Sequence, residues 1–529
     1  MMTRMILLFA LCLGSACLGG PAAADSILRF ANKSDLNALD PYTLNETFAL
    51  GVLGNVMEGL TKRDESLHIV PGLAERWEMP EPTRWRFHLR QGVRFHDGSA
   101  FSADDVLFSA DRARAQGSQI KSRLPPDAKL VKVDDYTVDF VLSKPNSTLI
   151  YEFDTWYMFS KTWAEANDAV NPQPANATAL RPFALKANGT GPFILVSHEP
   201  GVKTVFRPNA EWWGKAEHNL TGAIFTTIAS DTERVAALLS GQVDWIDPVP
   251  VEAMDRVAKD PNVQLMAAPE LRTIMLMMDS FRDELKYASV REANPFKDRR
   301  VRQAVYQAID MGRIRDQVMS GMAQPTPLLI SPLLYARPVD FARYPYDPVA
   351  ARQLLAAAGY PDGFGVSMDC PNDRYVNDAQ ICTEISRMLK NIGIAVELKI
   401  MPKAVFFEKV GPAGGYDTSL YLFGWTPPSL DSWNVLTNLA SCRDKTPAGR
   451  AVNLRGYCSP AVDRVSEEIR VETDSDRRDR LIAEAFRVIH DDAGIIPLHQ
   501  QMLGWGVSRR ISVRQRADNQ FLFNWVRKQ

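Results

Sequence analysis

Residues 346 to 400 constrain the fold more than any other part of the chain. Asp347-Pro348 supplies a helix cap and a first helical residue, and Gly359 ends the same helix after an apolar run. Ile381, Ile385, Leu389 and Ile392 recur at helical spacing and stop at Gly393. Ile394, Val396, Leu398 and Ile400 alternate at strand spacing. The pattern predicts helix 347–359, strand 366–370, helix 378–392 and strand 394–400, an αβαβ series that needs a sheet with helices on its faces. The N-terminal half pairs strands instead. Trp85, Phe87 and Leu89 alternate with Arg84, Arg86 and His88, and Val138, Phe140 and Leu142 repeat the pattern. Residues 193–196 and 203–206 flank Glu199-Pro200-Gly201 as a hairpin. Ser102 and Asp105 have capping-box spacing ahead of Val106. Periodicity therefore predicts an α/β chain of at least two lobes, with the polar stretch 165–190 as a linker or long loop.

Composition narrows the class. Across 529 residues, 46% are hydrophobic and 23% charged, which excludes wholesale disorder and a multi-span membrane protein. A net charge of −2 gives no basic excess for nucleic acid, so no nucleic-acid partner is expected. Arg4, the apolar run from Met5 to Leu18 and the small residues Ala22-Ala23-Ala24 read as a secretory signal over residues 1–24. A lipid anchor at Cys17 is disfavoured, because Gly14 stands where a lipoprotein signal usually has leucine. Cys370, Cys382, Cys442 and Cys458 then remain for the exported chain. Four cysteines allow three connectivities, and loop-closure entropy favours 370–382 and 442–458. An oxidising compartment would preserve both bonds.

No catalytic constellation accompanies these features. The sequence has no Gly-x-Ser-x-Gly elbow, no phosphate loop and no His-Glu-x-x-His, and it has only seven histidines. The pairs Asp104-Asp105 and Asp491-Asp492 sit at helix ends, where they complement the helix dipole or are solvated. The expectation is a binder with no enzymatic activity, no cofactor and no metal.

Several runs resemble the family 5 extracellular solute-binding proteins, the dipeptide-, oligopeptide- and nickel-binding components of bacterial ABC importers. They are residues 39–64, 70–78, 85–109, 189–201, 206–214, 237–247, 301–310, 346–363 and 496–501, in order along nearly the whole chain. The resemblance implies a two-lobed periplasmic-binding-protein fold (type II, cluster C) with an extra inserted domain. Domain I would comprise 25–66, 190–275 and 490–529, domain II the insertion 67–189, and domain III residues 276–489. It implies a periplasmic monomer that encloses a peptide or peptide-like ligand between lobes and hands it to an inner-membrane permease.

The resemblance also marks site residues, and departures from them. Dipeptide binders carry an arginine for the ligand carboxylate in the stretch matched by Pro371 to Tyr375, which retains Arg374. Their Gly-Trp-x-x-Asp segment supplies an aspartate for the ligand amine. Here Gly424-Trp425 is kept but Pro428 takes the aspartate position, leaving Asp431 three residues on, or Glu46, as substitute carboxylates. Free-amine dipeptides are therefore expected to bind poorly unless Asp431 takes over. Asn45 and Thr47 lie in the loop that touches ligand backbones in oligopeptide binders. The expected ligand-binding set is Asn45, Thr47, Arg374, Trp425 and Asp431. Alternatives are a non-peptide anion of opine or glycoside type, or a periplasmic chaperone or sensor using the same closure.

Overall fold

Two long strands, Val263–Met278 and Ile496–Ser508, run antiparallel through the middle of one eleven-stranded mixed sheet in this computed structural model. The structure describes residues 26–529 apart from 44–45, 175–176, 178, 336, 338–339, 412–413 and 443–455. On one side, Ile496–Ser508 pairs with Trp245–Asp247, followed by Ile27–Asn32, Gly222–Thr227, Lys203–Pro208 and Phe193–Glu199. On the other side, Val263–Met278 pairs with Leu420–Trp425, followed by Phe364–Pro371 and Ile394–Met401. The two central strands therefore join two mixed halves: one in which Ile27–Asn32 pairs parallel with both neighbours ahead of an antiparallel edge, and one in which Phe364–Pro371 pairs parallel with both of its neighbours.

Residue alternation explains why the central strands can be apolar throughout. Ile274, Leu276, Met278, Leu420 and Leu422 enter one core cluster with Ile381 and Ile385. Met275, Met277, Tyr421 and Phe423 enter a second with Phe486 and Ile489. Successive side chains point to opposite faces, and both faces are covered, so the sheet needs no polar side here.

The αβαβ series forms as Pro348–Ala357, Phe364–Pro371, Asp378–Lys390 and Ile394–Met401. Asp347 accepts from the Val349 and Ala350 amides, and Gly359 sits at φ +93°, a left-handed conformation that favours glycine. The two strands pair in parallel from Phe364↔Ile394 to Pro371↔Met401. In the N-terminal half, Ala74–Glu81, Arg84–Leu89, Thr137–Val141 and Lys129–Asp134 form a separate four-stranded antiparallel sheet. Trp85, Phe87 and Leu89 are buried on its inner face, and the Ser102/Asp105 capping box starts helix Ala103–Arg114. The described part of the 165–190 stretch is packed against the protein at its C-terminal end: Phe183 and Ala184, in a short helical turn at Pro182–Leu185, are buried, and Ala184 O accepts from Leu39 N at 2.7 Å.

Disulfides join Cys370 to Cys382 and Cys442 to Cys458. Among the described residues no helix is long and apolar enough to cross a membrane. Nor do three or more His, Cys, Asp or Glu side chains among them come together as a metal site. The signal segment 1–24 and Cys17 lie outside the described residues.

Candidate functional site

The site begins with a loop that local chemistry fixes from several directions. Residues 372–377 connect strand Phe364–Pro371 to helix Asp378–Lys390, and the Cys370–Cys382 bond ties those two elements together. The Asp378 carboxylate accepts from the amides of Arg374 and Tyr375, each at 3.0 Å, and from Ala379 at 2.9 Å. Asn377 adopts φ 51° and donates from Nδ2 to Val318 O at 2.9 Å. Asp373 accepts from Lys403 N at 2.6 Å. Both neighbouring aspartates are thus engaged by backbone amides. Among the described residues the half-buried Arg374 guanidinium has no hydrogen bond or ion pair; it lies 5.4 Å from the Tyr375 ring centroid. Burial, and then the charge of Arg272, push its pKa down from the usual arginine value.

Arg374 faces a cleft where the two sheet halves meet. One cavity of about 500 Å³ is lined by Asn32, Thr47, Asp247, Arg272, Arg374 and Gln501, among others. A second, of about 320 Å³, shares Thr47, Arg272, Arg374 and Phe407 with it and extends past Trp425 and Pro428. The shared residues place the two side by side along one cleft. Its floor contains the break in pairing of the central strands between Pro269 and Thr273, where Glu270 and Arg272 sit. A polar chain crosses here: Val376 N donates to Gln501 Oε1 at 3.1 Å, Gln501 Nε2 donates to Glu270 Oε2 at 2.8 Å, and Glu270 lies 3.5 Å from Arg272. It links the Arg374 loop to both central strands.

Gly424 is required by close approach. A Cβ there would come within 2.6 Å of Tyr375 Cε1 and 2.8 Å of Ile274 Cδ1, so only glycine lets the Tyr375 ring lie against this strand. The strand then ends at Trp425, whose indole donates to Asn434 Oδ1 at 3.2 Å and stacks on Phe423 with centroids 6.1 Å apart.

Of the expected site residues, Thr47, Arg374 and Trp425 line the cleft. Asn45 lies outside the described residues. Asp431 lines neither cavity. Its Oδ1 caps the helix through Trp433 N at 2.9 Å and accepts from Arg478 at 2.7 Å, so its charge is committed to a buried pair away from the cleft. Glu270, Arg272 and Asp247 escaped the sequence reading. The first two carried a usable signal, since two charges interrupt a run from Met266 to Met278 that is otherwise apolar but for Thr273.

Comparison with known proteins gives the geometry its context. The family model for bacterial extracellular solute-binding proteins, family 5 Middle, matches residues 68–447. The glutathione-binding protein GsiB of Salmonella typhi is 26% identical, over 93% of this chain and 92% of its own length. Among solved structures, the periplasmic binding protein DppA of Helicobacter pylori in complex with peptide STSA has a TM-score of 0.77 at 24% identity, covering 94% of this chain and 97% of that one. A dipeptide-binding protein of Pseudoalteromonas sp. SM9913 with Met-Leu has a TM-score of 0.75 at 21% identity, covering 95% and 100%. These structural neighbours share the two-lobed periplasmic-binding fold. With a continuous family match over most of its length, the chain belongs to the bacterial extracellular solute-binding proteins of family 5.

Proposed function

We propose that the protein captures a peptide or peptide-like solute bearing a carboxylate in the cleft and delivers it to the permease of an ABC importer. One observation carries the reading: a half-buried guanidinium, Arg374, faces the cleft with no hydrogen bond or ion pair among the described residues, on a loop clamped by a disulfide. A planar guanidinium suits a bidentate carboxylate, and Arg272 adds positive charge beside it. The name of the Salmonella relative supports a peptide-like cargo, since glutathione is a tripeptide with two carboxylates and one ammonium.

In this reading residues 25–66, 190–275 and 490–529 form one lobe, 276–489 the other, and 67–189 an insertion. The central strands serve as the hinge, and ligand contacts made to both lobes favour closure. The chain would work as an exported monomer, freed of residues 1–24 and without a lipid at Cys17, and would not bind nucleic acid. Family 5 proteins are transport binding proteins. We extend that to a lack of catalysis, which predicts that ligand incubated with the protein is recovered unchanged.

The test is mass spectrometry of small molecules released from denatured, freshly purified protein. A peptide or glutathione-like molecule with a free carboxylate, absent from the Arg374→Ala variant, supports the proposal. A solute without a carboxylate, retained equally by both proteins, sinks it.

A further inference from the structure

The cleft lacks a carboxylate where the relatives' amine acceptor would stand: Pro428 lines it without charge, and Asp431 is paired with Arg478. Most other carboxylates on its walls are already neutralised. Asp154 pairs with Arg63 at 2.7 Å, Asp518 with Arg516 at 2.7 Å and Glu270 with Arg272 at 3.5 Å. Glu46 is exposed, so water satisfies it.

Asp247 differs from the buried ones in lacking an ion pair; Asp154 also has an oxygen, Oδ1, without a donor among the described residues, but its Oδ2 is paired with Arg63. It ends strand Trp245–Asp247, is only 3% exposed, and lines the larger cavity together with Arg374. Its Oδ2 accepts from two neutral amides, Asn32 Nδ2 at 3.1 Å and Asn519 Nδ2 at 3.3 Å. Its Oδ1 has no hydrogen-bond donor among the described residues, and no lysine or arginine there forms an ion pair with it. The position is held firmly, because the buried Arg234 side chain donates to Pro248 O at 3.2 Å. A buried carboxylate oxygen without a partner is unfavourable unless a cation or donor meets it. Burial accordingly raises the Asp247 pKa to about 7. Arg374 thus offers a positive charge to the cavity from the 364–390 loop region, and Asp247, on the strand beside Ile27–Asn32, offers a carboxyl that a bound cation would hold ionised.

We propose that Asp247 accepts the ligand's ammonium group, so that a zwitterionic peptide spans the cleft with its carboxylate on Arg374 and its amine on Asp247. The inference rests on the reading of the cleft as a peptide site, and it reverses the expectation that free-amine peptides bind poorly. It also names a closing force, since each end of such a ligand is held by a different half of the sheet.

The experiment offers wild type, Asp247→Asn and Arg374→Ala two pools of di- and tripeptides, one with free N-termini and one N-acetylated. Retained peptides are read by native mass spectrometry, and the best binder of each pool is titrated by calorimetry. Asparagine keeps an oxygen for Asn32 and Asn519, so the fold is expected to persist; Asp247→Ser is the second variant if it does not. Wild type should favour free amines, and Asp247→Asn should lose about 30-fold or more of that preference. Arg374→Ala should lose both pools. Equal retention of the two pools by wild type, or an undiminished preference in Asp247→Asn, overturns the role of Asp247 and leaves the peptide site standing if Arg374→Ala still loses both. Failure of wild type to retain either pool overturns both readings.

Discussion

The two charged walls of the cleft are built by different means. The Arg374 wall is local: twelve residues of separation between Cys370 and Cys382 enclose the loop, and its aspartates take amides of the same loop or its near neighbours. The Asp247 wall is assembled from afar, with Asn32 and Asn519 each more than two hundred residues away in sequence. A covalently closed loop has fewer conformations to lose, and the Val376–Gln501 hydrogen bond fixes it further against the central strands. A wall made of strand ends keeps its shape only while the sheet half that holds it is intact. The comparison teaches that the Arg374 side combines a covalently closed loop with ties to Val318 and Gln501, whereas the opposite side depends on the sheet pairing that brings distant residues together.

The largest expected effect falls on the local wall. Arg374→Ala should weaken ligand binding by about 2–5 kcal/mol in calorimetric titration, with an unchanged melting temperature. Arg374→Lys should also lose affinity, because the planar fork is gone. A binding loss matched by a melting loss would show instead that Arg374 holds the loop.

Next comes the clamp. Replacing Cys370 and Cys382 with alanine should remove about 2–4 kcal/mol of stability in denaturant unfolding and weaken binding at the same time. Loss of stability with undiminished affinity would mean that the Asp378 hydrogen bonds alone shape the loop.

The distant wall should announce itself through pH. The Asp247 carboxyl is raised from 3.8 to about 7 by burial first, against Asn519, with Glu270 raising it further and Arg234 and Lys33 opposing. Between those values the native state holds a proton that the unfolded state has released, so stability falls as pH rises through the window. Asp247→Asn should flatten that part of the profile, by on the order of 4 kcal/mol across it. An identical slope in the variant would assign the titration to other groups. Gly424→Ala, which drives a Cβ into Tyr375 and Ile274, should cost about 1–3 kcal/mol of stability. Gln501→Ala should cost about 1 kcal/mol and loosen the Arg374 loop, seen as faster exchange of the Val376 amide.

The same contrast governs what could be read from the sequence. The helix from Asp347-Pro348 to Gly359, the strand at Ile394 and the cysteine spacings declare themselves because each depends on neighbours a few residues away. Arg374 is marked only by the resemblance of the stretch Pro371 to Tyr375 to the dipeptide binders. Asp247 could not be singled out, because its meaning depends on Asn32, Asn519 and Arg374 converging through sheet pairing. Asp431 misled for a related cause. Its closeness to Pro428 in sequence said nothing about Arg478, forty-seven residues on, which takes its charge. Glu270 and Arg272 stood out as charges in an apolar strand, but only the break in pairing shows that they meet the cleft.

A crystal structure of the protein with the peptide it captures would test the central claim most directly. The account predicts a ligand carboxylate within hydrogen-bond distance of the Arg374 guanidinium, in the cleft between the two halves of the sheet. A ligand bound elsewhere, or one lying in the cleft with Arg374 turned away toward Asp373, would contradict it.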